Sequence, residues 1–264
     1  MSIIVISRAT LTGSTVIAER VAKELQIPCI SREIVVEAAQ NAGVSSEMVE
    51  ARMNQTPSFF DHYPERDVYL LQVQAELFRH AAEGSLVYKG HGGHLLLSEV
   101  PNLIRVHVVA PMRVRIAEAQ KALGLDAKEA EKHIQRLDSQ RQKWVQYLYR
   151  TDWDDPLSYD LVINLDKLNV GEASELVNQT ARLACFAWTD ERKQKVADLA
   201  LATRVKADLA RGGELFNGIL EISAQANVLT IDGRVRTEQA REELLAAIKR
   251  TIGDAEIRFN VTRA

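Results

Sequence analysis

Two cysteines in 264 residues, Cys29 and Cys185, are too few for a disulfide framework. One follows a proline at the start of a strand pattern and the other lies in an apolar helical pattern. Both therefore read as reduced, partly buried thiols. No apolar run approaches the roughly 20 residues of a membrane-spanning helix, so no membrane role is expected. The N-terminus has no basic segment and no small-residue cleavage site, which argues against export and for a cytoplasmic location. Excess positive charge is missing as well. The net charge is −3, so nothing favours a nucleic-acid partner. What remains, 46% hydrophobic and 26% charged residues, is the composition of a globular chain long enough for two modest domains.

The N-terminal stretch carries the strongest signal. An apolar run (Ile3, Ile4, Val5, Ile6) leads through a hydroxyl-rich turn with Gly13 into a helical pattern, where Ile17, Val21 and Leu25 recur beside Ala18 and Ala22. A strand, a loop and a helix in this order present backbone N–H groups and a positive dipole end to a phosphate. The alternation continues. Strands are expected at 3–6, 28–30, 86–88, 104–109 and 161–164, and helices at 15–26, 32–41, 67–82, 113–123, 127–149 and 172–187. Short apolar strands separated by helices imply an α/β fold with a parallel sheet covered on both faces. Residues 53–65 have no clear period and read as a loop.

The pattern changes after Trp188. Residues 189–198 are densely charged and read as a linker or the end of a long helix. A helix at 199–211, strands at 219–223 and 228–231, an Asp232-Gly233 turn, a helix at 238–251 and a strand at 256–261 follow. They form an αββαβ unit of the α+β class. The expected domains are 1–188 and 199–264, with 189–198 between them.

Several separated motifs carry a resemblance. They are the Ile6-Ser7-Arg8-x₄-Gly13 turn with its helix, Ile27-Pro28 followed by Arg32-Glu33-Ile34, and Gly90-His91-Gly92-Gly93. Further on come Ala110-Pro111 with Arg115, Arg136-Leu137-Asp138-Ser139-Gln140-Arg141, Asp152-Trp153-Asp154-Asp155-Pro156 and Tyr159-Asp160-Leu161-Val162-Ile163-Asn164. In order and spacing, residues 3 to about 184 resemble the cytidylate-kinase-like branch of the P-loop nucleoside monophosphate kinases. That resemblance implies a five-stranded parallel sheet, a mobile helical lid, and γ-phosphoryl transfer from ATP with Mg²⁺ to a nucleoside monophosphate of the CMP type. It assigns the lid residues Arg136, Asp138 and Arg141 to catalysis, with Asp138 orienting an arginine. It places Arg8, Thr12, Gly13, Ser14 and Thr15 around ATP, and Arg32, His91 and Arg115 around the acceptor.

The departures all weaken charge at that site. Of the family's glycine-rich loop only Gly13 remains. Leu11 is expected to crowd or reshape the phosphate nest, and Thr15 stands where a basic residue is usual. Ser14 or Thr15 retains a hydroxyl for Mg²⁺, and Arg8 is placed to supply positive charge. His91 replaces an arginine and is mostly neutral at pH 7. His91 and His94 alone do not make a metal site. The C-terminal unit resembles a BON domain in its αββαβ order, in residues 228–235 and in residues 252–257, which implies that fold; with no catalytic constellation of its own, it reads as a regulatory or dimerising appendage for a second copy or a protein partner. Three readings stay open: a kinase, a nucleotide sensor that signals through the C-terminal unit, and a scaffold that binds no nucleotide.

Overall fold

In the computed structural model the described residues are 2–8, 11–31, 64–90, 92–149, 151–152, 154–252 and 255–263. The helix expected at 32–41, the loop at 53–63, and the candidate residues Arg32 and His91 lie outside them. Strand β1 (Ile3–Arg8) is the centre of a five-stranded parallel sheet. The order is β2 (Cys29–Ile30), β3 (Leu86–Lys89), β1, β4 (Leu103–Val109) and β5 (Leu161–Asn164). Ile3, Ile4, Val5 and Ile6 are all buried, as a central strand covered on both faces requires. On one face Ile4, Ile6, Ile104, Val106 and Ile163 pack against α1 (Ser14–Leu25) and α6 (Val170–Ala181). On the other, Ile3, Val5 and Leu86 pack against α2 (Pro64–Glu83) and residues in and after α3 (Gly93–Leu96). Helices α4 (Met112–Leu123) and α5 (Ala127–Tyr149) form a hairpin beyond the end of β4.

Two expected boundaries shift. The helix expected at 172–187 starts earlier, where Asn169 and Glu172 form a reciprocal capping box. It ends at Ala181, and a short 3₁₀ turn, Ala184–Phe186, follows. Cys185 is therefore exposed rather than buried in an apolar helix, Cys29 is half-buried, and no disulfide joins them. The stretch expected as a loop at 53–65 ends in helix, because Pro64 opens α2, where its missing N–H costs nothing.

The charged segment 189–198 is no linker. Thr189 caps α7 (Asp190–Gly212), its hydroxyl accepting the Arg192 N–H. Asp190 and Glu191 lie in the first turn, where carboxylates offset the helix dipole. Charged side chains cover the outer surface, while Val196 and Leu199 enter the first core beside Val73, Leu77 and Phe78. Two turns on, Val205 and Leu209 belong to a second core. That core is built on an antiparallel pair, β6 (Gly218–Gln225) and β7 (Val228–Val235), with β8 (Glu256–Arg263) parallel to β7 and α8 (Glu238–Ile252) packed against them.

The β6–β7 turn is Ala226-Asn227, and Asp232-Gly233, expected as a turn after the second strand, lies inside β7. Both turn residues have positive φ, 50° and 63°, the geometry that suits the twist of a two-residue hairpin. Gly233 lies inside β7, where an added Cβ would sit 2.1 Å from the Ile219 carbonyl oxygen; close backbone approach demands the glycine. The turn is held by a buried carboxylate of α7. Asp198 accepts the N–H groups of Ala226 and Asn227, both at 2.9 Å, and the Gln194 amide at 3.0 Å. Asp198→Ala strips two turn amides of their acceptor, at roughly 2–4 kcal/mol. The expected fall in Tm is roughly 5–10 °C. A thermal melt within about 2 °C of the parent would show that the turn does not depend on Asp198.

Candidate active site

The C-terminal end of β1 feeds straight into the candidate phosphate site. Arg8 closes the strand. Gly13, at φ 79°, is the N-cap of α1, and no side chain caps the helix. The first turn of α1 carries no acidic residue. The N–H groups and positive dipole end of α1 are thus open to an anion. An added Cβ at Gly13 would find only ordinary contacts, 3.6 Å to Val170 and 3.9 Å to Leu165, so the positive φ and not space selects glycine here. Ser14 is 2% exposed, and its Oγ has no hydrogen-bond partner among the described residues. Thr12 is also buried, and Thr15 is half-buried.

Leu11 does not crowd this nest. Its φ is 56°, a left-handed conformation that costs an L-residue with a side chain about 1 kcal/mol or more. The side chain instead packs against the small apolar cluster of the α4–α5 hairpin.

The lid arginines separate. Helix α5 is unbroken from Ala127 to Tyr149. Ala130, Ile134, Asp138, Arg141 and Val145 fall on one side of it, and all are buried or half-buried. Arg136 is exposed, about 160° around the helix from Asp138. Asp138 accepts a 2.6 Å hydrogen bond from Nη2 of Arg115, a buried residue of α4. The structure therefore brings together Arg115, Asp138 and Arg141 and leaves Arg136 apart. The acid expected to orient a lid arginine orients Arg115.

The glycines of the 90–93 turn have packing roles. Cβ atoms at Gly90 and Gly93 would each fall 2.4 Å from atoms of the Tyr88 side chain, and Gly92, at φ 73°, caps α3. Tyr88 is buried, and its phenol is pushed up to about 12 by burial. Among the described residues, no three His, Cys, Asp or Glu side chains gather as a metal would require.

A buried polar array on the same sheet face was not anticipated from the sequence. Ser7 of β1 and His107 of β4 are register partners. Ser7 Oγ lies 3.1 Å from His94 Nδ1 and also hydrogen-bonds the Tyr159 hydroxyl. The Tyr159 ring lies between two imidazoles, 4.8 Å from His94 and stacked at 4.6 Å on His107. His107 Nε2 reaches to 3.8 Å from exposed Asp154, and the adjacent Asp160 clamps Arg105 with hydrogen bonds of 2.8 and 3.1 Å. A histidine in the polar phase of an otherwise apolar strand was the available signal.

Burial, together with the nearby His107 and Arg105, lowers the His94 pKa from 6.5 to about 4, and burial lowers His107 too, against the pull of Asp154. The unfolded chain binds the His94 proton below pH 6.5, whereas the folded chain binds it only near pH 4. Stability is therefore complete above 6.5 and falls as the pH drops towards 4. The loss from His94 is on the order of 3 kcal/mol. Urea titrations at pH 7.5 and 5.0 should show the parent losing clearly more stability than His94→Gln. Parallel losses would refute the assignment.

Residues 3–167 match the sequence profile of the cytidylate kinase-like family, and residues 168–264 lie outside that match. The chain is 27% identical over 181 residues to a cytidylate kinase of Staphylothermus marinus, covering 68% of this chain and 96% of that protein. It is 28% identical over 162 residues to a cytidylate kinase of Methanosarcina barkeri, covering 60% of this chain and 84% of that protein. The crystal structure of an uncharacterized protein from Eubacterium ventriosum superposes with a TM-score of 0.56 at 23% identity, covering 68% of this chain and 97% of that one, and so shares the fold.

Proposed function

The chain belongs to the cytidylate kinase-like family, and from that premise we propose that it transfers the γ-phosphoryl group of ATP to a nucleoside monophosphate. The observation that carries this reading is the uncapped N-terminus of α1 with the buried, unpartnered Ser14 hydroxyl beside it. A buried polar group is rarely left unsatisfied, and an anion with its cation would satisfy this one. Ser14 and Thr15 offer the hard oxygen ligands that suit Mg²⁺, which when bound offsets phosphate charge. Backbone N–H groups of α1 hold the phosphates, Arg8 adds positive charge, and Arg141 stabilises the transferring group. Arg115, fixed by Asp138, positions the acceptor phosphate. Arg32 and His91 complete the acceptor side, and Arg136 takes a peripheral part. The similarity to cytidylate kinases favours CMP as acceptor.

One observation favours a second reading, a nucleotide sensor without turnover. Leu11 and Thr15 stand in a loop that otherwise wants glycine and a basic side chain. In that case the C-terminal unit, a BON-like appendage in the cytoplasm, relays occupancy to a protein partner or a second copy.

Calorimetry of the full-length chain with Mg-ATP, CMP and other monophosphates separates the two. Binding of ATP together with one monophosphate, followed by turnover of that pair, is expected. Binding of a single nucleotide without turnover selects the sensor. No binding at millimolar concentration removes both.

A further inference from the structure

We propose that Leu11 is a positioning residue that anchors the lid to the phosphate loop, so that the loop and the α4–α5 hairpin move as one body. The proposal rests on the phosphate-site reading above, but its test needs no nucleotide. The hairpin has a small apolar core of its own. Ala119, Ala130 and Ile134 are fully buried there, with Met112, Ile116 and Leu125 packed around them. All six lie in α4, in α5 or in the turn between them. Among the described residues Leu11 is the single member of that cluster from outside the hairpin.

Two further facts give the contact weight. First, Leu11 holds a left-handed backbone at φ 56° that a leucine avoids, so something must over-determine it. Burial in the hairpin core does so. Second, the ion pair that joins the hairpin to the body is weak. Arg113 of α4 pairs with Asp166 beyond β5, but it is 69% exposed and the pair is screened by solvent. The Arg115–Asp138 pair joins α4 to α5 within the hairpin. An anion that reshapes the loop therefore shifts Leu11, and with it the helix that carries Asp138 and Arg141. A glycine at position 11 would give the same backbone freedom with no side chain to transmit the movement.

The experiment is amide hydrogen exchange on the full-length protein without nucleotide, comparing the parent, Leu11→Gly, Leu11→Met and Ile134→Ala. Leu11→Gly relieves the backbone while deleting the anchor. It should raise exchange across residues 112–134 by about tenfold, with β1, β4 and α6 at parental rates. Leu11→Met keeps the apolar volume and should restore slow exchange. Ile134→Ala, made on the lid side, should loosen amides at residues 12–17, because coupling is reciprocal. Unchanged exchange at 112–134 in Leu11→Gly, an equal rise throughout the sheet, or failure of Leu11→Met to protect the hairpin would each overturn the proposal. None of these outcomes depends on kinase activity, so a protein that turns over no nucleotide still decides it.

Discussion

Arg141→Ala is expected to lower kcat for phosphoryl transfer by about two to three orders of magnitude with the fold intact, the usual loss when one donor to a developing charge is removed. Arg141 shares the inner side of α5 with Asp138, three residues away, and Asp138 is bonded to Arg115. Arg136 sits on the far side of the same unbroken helix, so Arg136→Ala should cost less than about tenfold in kcat. The pair of variants is the informative design. A steady-state assay with Mg-ATP and CMP, with circular dichroism to verify folding, reads both. Equal losses would mean that the helix is reoriented during turnover, and unchanged turnover in Arg141→Ala would remove the lid from the chemistry.

Truncation after residue 188 is expected to destroy the N-terminal unit, although the motifs of the kinase-like region all lie before that point. Val196 and Leu199 are buried in the core of the five-stranded sheet. Two such side chains contribute roughly 3–6 kcal/mol, a large share of the roughly 5–15 kcal/mol that holds a domain together. The cut also strands Gln72, a buried residue of α2 whose amide donates to the Ala207 carbonyl at 2.8 Å. A chain of residues 1–188 should precipitate or melt well below the full-length protein, whereas one ending after α7 should keep the first core covered. A cooperative melt of 1–188 within a few degrees of the parent would contradict this account.

Much of the fold was legible because local signals agreed with the tertiary outcome. The bounds of α5 and β5 follow from the sequence as read, and α5 opens with a reciprocal Asp126–Glu129 pairing that a capping pattern announces. Misreadings arose where a strong local signal served another purpose. The charge density of 189–198 suggested a linker, but two apolar residues, Val196 and Leu199, suffice to bury one side of a helix. Asp232-Gly233 is a strong turn signal, yet its glycine answers the approach of β6, while the less typical Ala226-Asn227 turns the chain because Asp198 holds it. The strand, loop and helix that turn the start of α1 towards an anion could be read from sequence, whereas its missing side-chain cap could not. The choice of Arg115 as partner of Asp138, and the stacking of His94, Tyr159 and His107, could not, because both depend on how separate elements pack.

The position of α7 also bears on when the first core can close during synthesis. The first core joins Ile3, near the start of synthesis, to Leu199, so its contacts span most of the chain. The β-strands of the N-terminal sheet are all translated before the helix that closes one of its faces. A ribosome-bound chain that ends before residue 196 therefore displays Val73, Leu77 and Phe78 without their cover. The first core is closed only once α7 has been made, and part of its apolar surface stays uncovered until then.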